Sequence, residues 1–122
     1  MDIIRATFKC ENEYITMNKG NTLSFGMELY DENGNAFDTD LDYAYFTCKQ
    51  NYTDNANVFQ KSLDDGITKI DDGKYTVRVA PDDTKDVEAG KYFYDLKIGV
   101  NSDVFTVLKG VLEIDWDVTK EV

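Results

Sequence analysis

The sequence predicts an all-β protein: a sandwich of two antiparallel sheets, with about seven to nine short strands in Greek-key order. Three observations predict it. Apolar residues alternate with polar ones along most of the chain, which is the period-two signature of strands with one buried face. Clusters of Gly, Asn and Asp interrupt that alternation at intervals of about 8–12 residues, where turns belong. Eight Tyr, seven Phe and one Trp favour sheets over helices. No heptad or long helical period runs anywhere. The 122 residues are expected to form one domain, with a polar tail from about residue 117.

In chain order, Ile4, Ala6, Phe8 and Cys10 alternate with Arg5, Thr7 and Lys9 and give a first strand. Asn12-Glu13 interrupts it, and residues 14–17 form a short second piece. Residues 18–21 make a turn, because Gly and Asn tolerate positive φ. Along 22–30, Leu23, Phe25, Met27 and Leu29 face inward, and Gly26 marks a bulge or a close backbone. Asn33-Gly34 is the pair of a type I′ hairpin turn, inside a loop that runs on to Asp40. Along 43–50, Ala44, Phe46 and Cys48 face inward, with Tyr43, Tyr45 and Thr47 outward. Residues 51–57 read as a polar loop. Residues 58–61 and 66–70 read as edge strands, where Lys61 and Lys69 discourage unwanted pairing. Asn101-Ser102-Asp103 turns the chain into a long last strand, 104–116. A kink or bulge is expected there at Lys109-Gly110, letting the strand serve both sheets.

The most informative stretch is 73–99. Tyr75, Val77 and Val79 form the inward row of one strand, which Pro81 ends because it has no N–H to give a ladder. A short acidic helix is expected next, with Pro81 in its first turn and Asp82 and Asp83 at its positive end. Tyr92, Tyr94, Leu96 and Ile98 then form a second inward row, with Phe93, Asp95 and Lys97 outward. This is how an immunoglobulin-like sandwich crosses between sheets. Tyr92 stands at the tyrosine-corner position, Tyr94 where antibody domains hold their second core cysteine, and Phe46 where they hold the core tryptophan.

Composition narrows the function. Thirteen Lys and Arg against twenty-four Asp and Glu give a formal net charge of −11, which makes nucleic acid and anionic membrane poor partners. No histidine is present, so Ser-His-Asp and Cys-His catalysis and most zinc sites are excluded. Cys10 and Cys48 both fall on inward rows and read as free, buried thiols of a chain folded in reducing cytosol. The first fourteen residues lack the basic start and apolar run of a signal peptide. No segment reaches the ~18 apolar residues that a membrane-crossing helix needs.

Two groups of residues are site candidates. Asp31, Asn33 and Asn35, with Asp38, Asp40 and Asp42 beyond, place oxygen ligands at alternate positions, as calcium requires. The glycine comes too early for an EF-hand, Asp42 stands where that motif wants a bidentate Glu, and the segment lies between strands. A solvated hairpin loop is therefore the favoured reading, with no metal and no cofactor. The pairs Asp64-Asp65, Asp71-Asp72 and Asp82-Asp83 sit in turns and point apart, so no catalytic residues and no enzymatic activity are expected. Tyr30, Tyr43, Tyr45, Phe93 and Trp116 fall on outward faces or strand ends and are the interface candidates.

The run Ile15 to Phe25, then Asp71-Asp72-Gly73-Lys74-Tyr75, Pro81 to Lys85, Gly90 to Asp95 and Phe105 to Gly110 resembles the immunoglobulin-like domain of tailed-phage structural proteins. The N-terminal domain of the phage baseplate upper protein is the nearest type, and similar domains occur in head and tail accessory proteins. The resemblance covers roughly residues 13–119 and is carried by turn and strand motifs. It implies virion assembly in the host cytoplasm and no catalysis, with other capsid or baseplate proteins as partners and several copies per particle. In baseplate proteins further modules follow such a domain. This sequence stops at Val122, so the expected role is a capsid decoration or auxiliary protein, with a baseplate or tail adaptor as the alternative. A carbohydrate-binding cell-surface module is the alternative from another class.

Overall fold

The computed structural model describes residues 5–8 and 14–116. Nine strands and one short helix occur among them. The strands are β1 (Arg5–Phe8), β2 (Tyr14–Asn18), β3 (Leu23–Tyr30), β4 (Tyr43–Lys49), β5 (Phe59–Leu63), β6 (Gly66–Asp71), β7 (Lys74–Val79), β8 (Gly90–Val100) and β9 (Asp103–Asp115). Helix α1 (Pro81–Thr84) lies between β7 and β8. The strands hydrogen-bond in the order β1-β3-β7-β6-β5-β4-β8-β9-β2. This ladder folds over on itself. Phe25 on β3 meets Phe46 on β4 with ring centroids 5.4 Å apart, although four steps of the ladder separate their strands. The two layers are therefore β1-β3-β7-β6 and β5-β4-β8-β9-β2, an immunoglobulin-like sandwich.

The predicted alternation holds where side chains are described. Ala44, Phe46 and Cys48 on β4 are fully buried, as are Val77 and Val79 on β7 and Leu96 and Ile98 on β8. Their rows meet Met27 and Leu29 from β3 and Leu112 and Ile114 from β9 in one core. Phe46 lies at its centre, with Phe59 at 5.9 Å and Tyr94 at 5.5 Å. Each such aromatic pair adds about 0.5–1.5 kcal/mol beyond its area burial. The side chains of Ala6 and Phe8, and all of Cys10 and the tail from 117, lie outside the described residues.

Several details differ from expectation. Asn33 lacks the positive φ that a type I′ turn needs at both central residues, and Asn101 and Ser102, at +51° and +71°, have it instead. Not every pairing is antiparallel: β2 runs parallel to β9, and β5 meets β6 in a short parallel pairing that links the two layers. The bulge in β9 is not at Lys109-Gly110. Leu96 pairs with Leu108 and Lys97 with Thr106, so Val107 is the extra residue. Nor does β9 serve both layers. The N-terminal segment does, since β1 pairs with β3 and β2 with β9. A parallel partner leaves the hairpin edge of β9 covered along Val111 to Asp115.

The crossover forms as its sequence directs. Pro81 opens α1, and the Asp83 carboxylate accepts the Ala80 N–H at 2.7 Å while pairing with Lys61 at 2.9 Å. Thr84, fully buried, accepts the N–H of Gly20 at 2.9 Å and ties α1 to the β2–β3 turn. The Tyr92 hydroxyl donates to the Glu88 carbonyl at 2.6 Å, four residues upstream, which is the tyrosine corner. Tyr92→Phe keeps the ring and removes that bond, so chemical denaturation should show a loss of about 1 kcal/mol. An unchanged melting curve would mean the corner does not hold the crossover.

Gly73 is the tightest turn. Its φ is +69°, and an added Cβ would lie 2.5 Å from the Leu29 carbonyl oxygen and 2.9 Å from the Phe37 nitrogen. Those two groups are bonded to each other, and the Leu29 N–H bonds the Gly73 carbonyl at 2.7 Å. Gly34 has a similar φ, +83°, but open space around it. Gly73→Ala should therefore cost about 2–4 kcal/mol in the same denaturation experiment, from strain and backbone clash together. Gly34→Ala should cost about 1 kcal/mol, from φ alone. Equal losses would refute the close approach at Gly73.

Candidate functional site

The outward rows of β4, β8 and β9 make a concave face. The register sets it: Tyr45 lies beside Lys97, Thr47 beside Asp95, and Lys49 beside Phe93. On the other side of β8, Lys97 pairs with Thr106 and Asp95 with Lys109. The bulge at Val107 reverses the phase of β9, so both Thr106 and Lys109 reach this face. Two adjoining hollows of about 250 and 230 Å³ result, which share Thr47, Lys49, Asp95 and Lys97 as floor.

Aromatic pairs bound the face at both ends. Tyr52, 65% exposed in the loop after β4, stacks on Phe93 at 4.2 Å and 29°. Tyr43 and Tyr45 lean together at 5.4 Å. Tyr43 lies flat over Gly99, where a Cβ would come within 2.1 Å of its ring, so only glycine there leaves room for the tyrosine. The Lys49 ammonium donates to the Asp54 carbonyl at 2.8 Å, while Asp54 accepts the Asn51 N–H at 3.1 Å. These bonds order the loop that carries Tyr52.

The structure thus brings together three of the five predicted interface residues: Tyr43, Tyr45 and Phe93. Tyr30 is elsewhere, on β3 of the opposite layer. Its hydroxyl donates to Glu28 at 2.6 Å, and that bond to a carboxylate raises its pKa. Trp116, 69% exposed, follows the end of β9, with the Lys19 ammonium 4.4 Å from its ring. At the other end of β2, Tyr14 donates to Glu113, which raises the tyrosine pKa and lowers that of Glu113. Tyr52, Lys49, Lys97 and Lys109 are not among the interface candidates read from the sequence.

The calcium candidate turns inward on its own backbone. Asp31 Oδ1 accepts the N–H groups of Asn33 at 2.9 Å and Asn35 at 3.0 Å, closing the loop as an Asx turn. Asp40 pairs with Lys69 at 2.7 Å, a contact that lowers the Asp40 pKa and raises that of Lys69. Among the described residues no three His, Cys, Asp or Glu side chains gather as metal ligands. No helix among them is long and apolar enough to cross a membrane.

No family model matches the sequence. No curated protein matches it either. Solved structures do. Domains 4 and 5 of the S-layer protein SbsC superpose with a TM-score of 0.52 at 16% identity, over 94% of this chain and 47% of that one. Domains 1–6 of the same surface layer protein give 0.53 at 16% identity, over 98% of this chain and 14% of that one. The ZirS C-terminal domain gives 0.51 at 11% identity, over 93% and 66%. The chain therefore spans about half of the shorter S-layer structure it matches and a seventh of the longer one. At these identities the likeness establishes the fold.

Cys48 is the described thiol, and it is inert as a nucleophile. It is fully buried beside Phe46, and burial pushes its pKa up to about 12. In a Cys10→Ser chain, a thiol reagent at neutral pH should label Cys48 only as fast as the protein unfolds. Labelling at the rate of a free thiol would contradict the buried placement.

Proposed function

We propose that the chain is a non-enzymatic structural protein of a tailed-phage virion, a capsid auxiliary or decoration protein that docks in several copies on a larger shell. The observation that carries this reading is the β4–β8–β9 face: an open, aromatic-bounded hollow floored by lysine, threonine and Asp95 side chains. Such a face offers contact area and hydrogen-bonding groups, which serve docking. The coarser reading, a surface or structural protein, agrees with the fold shared with S-layer domains. The finer one adds the phage-like turn and strand motifs along most of the chain.

Mass spectrometry of purified particles, with imaging of the labelled protein, tests it. The expected result is many copies on the head. Labelling confined to the tail would replace decoration by the baseplate or tail adaptor role, which the likeness to the baseplate upper domain favours. Absence from particles would overturn the virion reading.

A further inference from the structure

We propose that the β4–β8–β9 hollow binds an acidic segment of a partner protein, gripped by Lys49, Lys97 and Lys109 between the two aromatic pairs. The proposal deepens the docking reading above and rests on it.

Charge is the first argument. The chain carries a net charge of −11, and Lys61, Lys69 and Lys85 each sit in an ion pair with an aspartate. Lys19, Lys74 and Lys91 are in no ion pair among the described residues, but the hollow gathers three such lysines on one face. Lys97 and Lys109 are exposed and have no ion-pair partner among the described residues, and Lys49 bonds only a neutral carbonyl. Asp95 is the one carboxylate on the floor. Three ammonium groups facing one carboxylate leave a positive face on an acidic body, and complementarity asks for an acidic occupant.

The form of the site narrows that occupant. Over the floor of the hollow β4 is paired on both sides, with β5 and β8, so a ligand lying there meets side chains. On its outer side β9 is covered by β2 only along Val111–Asp115, and the stretch before it has no strand partner there among the described residues. A second copy related by a two-fold axis would set lysine against lysine, which disfavours a symmetric dimer through this face. A sugar would stack on open ring faces. Here Phe93 is covered by Tyr52 and Tyr43 lies down on Gly99, so only the exposed rings of Tyr52 and Tyr45 are open to one, and they do not use the lysines. A long polyanion such as nucleic acid would run past the positive hollow into the acidic loops around it. A short acidic protein segment satisfies the lysines and packs against the ring edges.

Titration of the isotope-labelled protein with a short polyglutamate peptide, followed by amide NMR, tests this. Shifts should concentrate at Lys49, Phe93, Lys97 and Lys109, and affinity should fall about tenfold as salt is raised from low to physiological strength or above. Lys97→Glu/Lys109→Glu should weaken binding by a further factor of about ten or more. Lys74→Glu/Lys85→Glu makes the same change of net charge elsewhere and should leave it nearly unchanged. No shifts at about 1 mM peptide, or equal losses in both variants, would overturn the proposal. Tighter binding of polygalacturonate at the same residues would also overturn it, and assign the face to an anionic glycan. These outcomes are separate from the particle experiment. Virion presence without peptide binding removes only the partner chemistry, and peptide binding without virion presence removes only the virion.

Discussion

Phe46 is the contact on which the rest depends. An immunoglobulin-like sandwich needs something to hold its layers face to face, and antibody domains use a disulfide packed on a tryptophan. This chain has neither at those positions. Instead Phe46 sits fully buried between Phe25 of the opposite layer and Tyr94 and Phe59 of its own. The consequence reaches the outer surface. Strand side chains alternate, so fixing Phe46 and Tyr94 inward also fixes Tyr45, Thr47, Phe93 and Asp95 outward, in register. A slip of one residue would bury the lysines and expose the core. The β4–β8–β9 face is held by packing on its reverse side.

The crossover supplies the second constraint. Tyr92, Thr84 and Asp83 each close a polar group across a different junction: the corner before β8, the β2–β3 turn, and β5. Their bonds are individually modest, about 1 kcal/mol each. Their placement matters more than their sum. They sit where the chain leaves one layer for the other, and they set the height at which β8 enters its sheet.

Much of this was legible in the sequence, and the failures have a common cause. Strict alternation along 43–50 and 92–98 has one physical reading, so β4, β8 and their faces followed directly, as did the corner at Tyr92. Contacts between segments far apart in sequence did not. Tyr52 lies in a polar loop, and only its stack on Phe93 gives it a role. Thr84 carries no local signal within an acidic helix, and its role comes from the Gly20 N–H it accepts. Glycine at position 110 attracted the bulge assignment, yet the register shift falls at Val107, whose side chain carries no bulge signal. Lys49, Lys97 and Lys109 come from three strands, and no local pattern joins them.

That bulge connects fold to surface. Without it, Lys109 would keep the phase of Phe105 and Val107 and turn toward the core. With it, the lysine stands across β8 from Thr47, beside Asp95. One inserted residue thus adds a third ammonium group to the face. Many of the surrounding loops are acidic, so an acidic segment would be repelled over much of the surface and attracted at this hollow. Screening confines that contrast to about 8–10 Å. Within that range the field orients the encounter and leaves packing against the rings to set how long it lasts. Specificity in such an arrangement comes as much from the acidic body that rejects misaligned approaches as from the lysines that accept the aligned one.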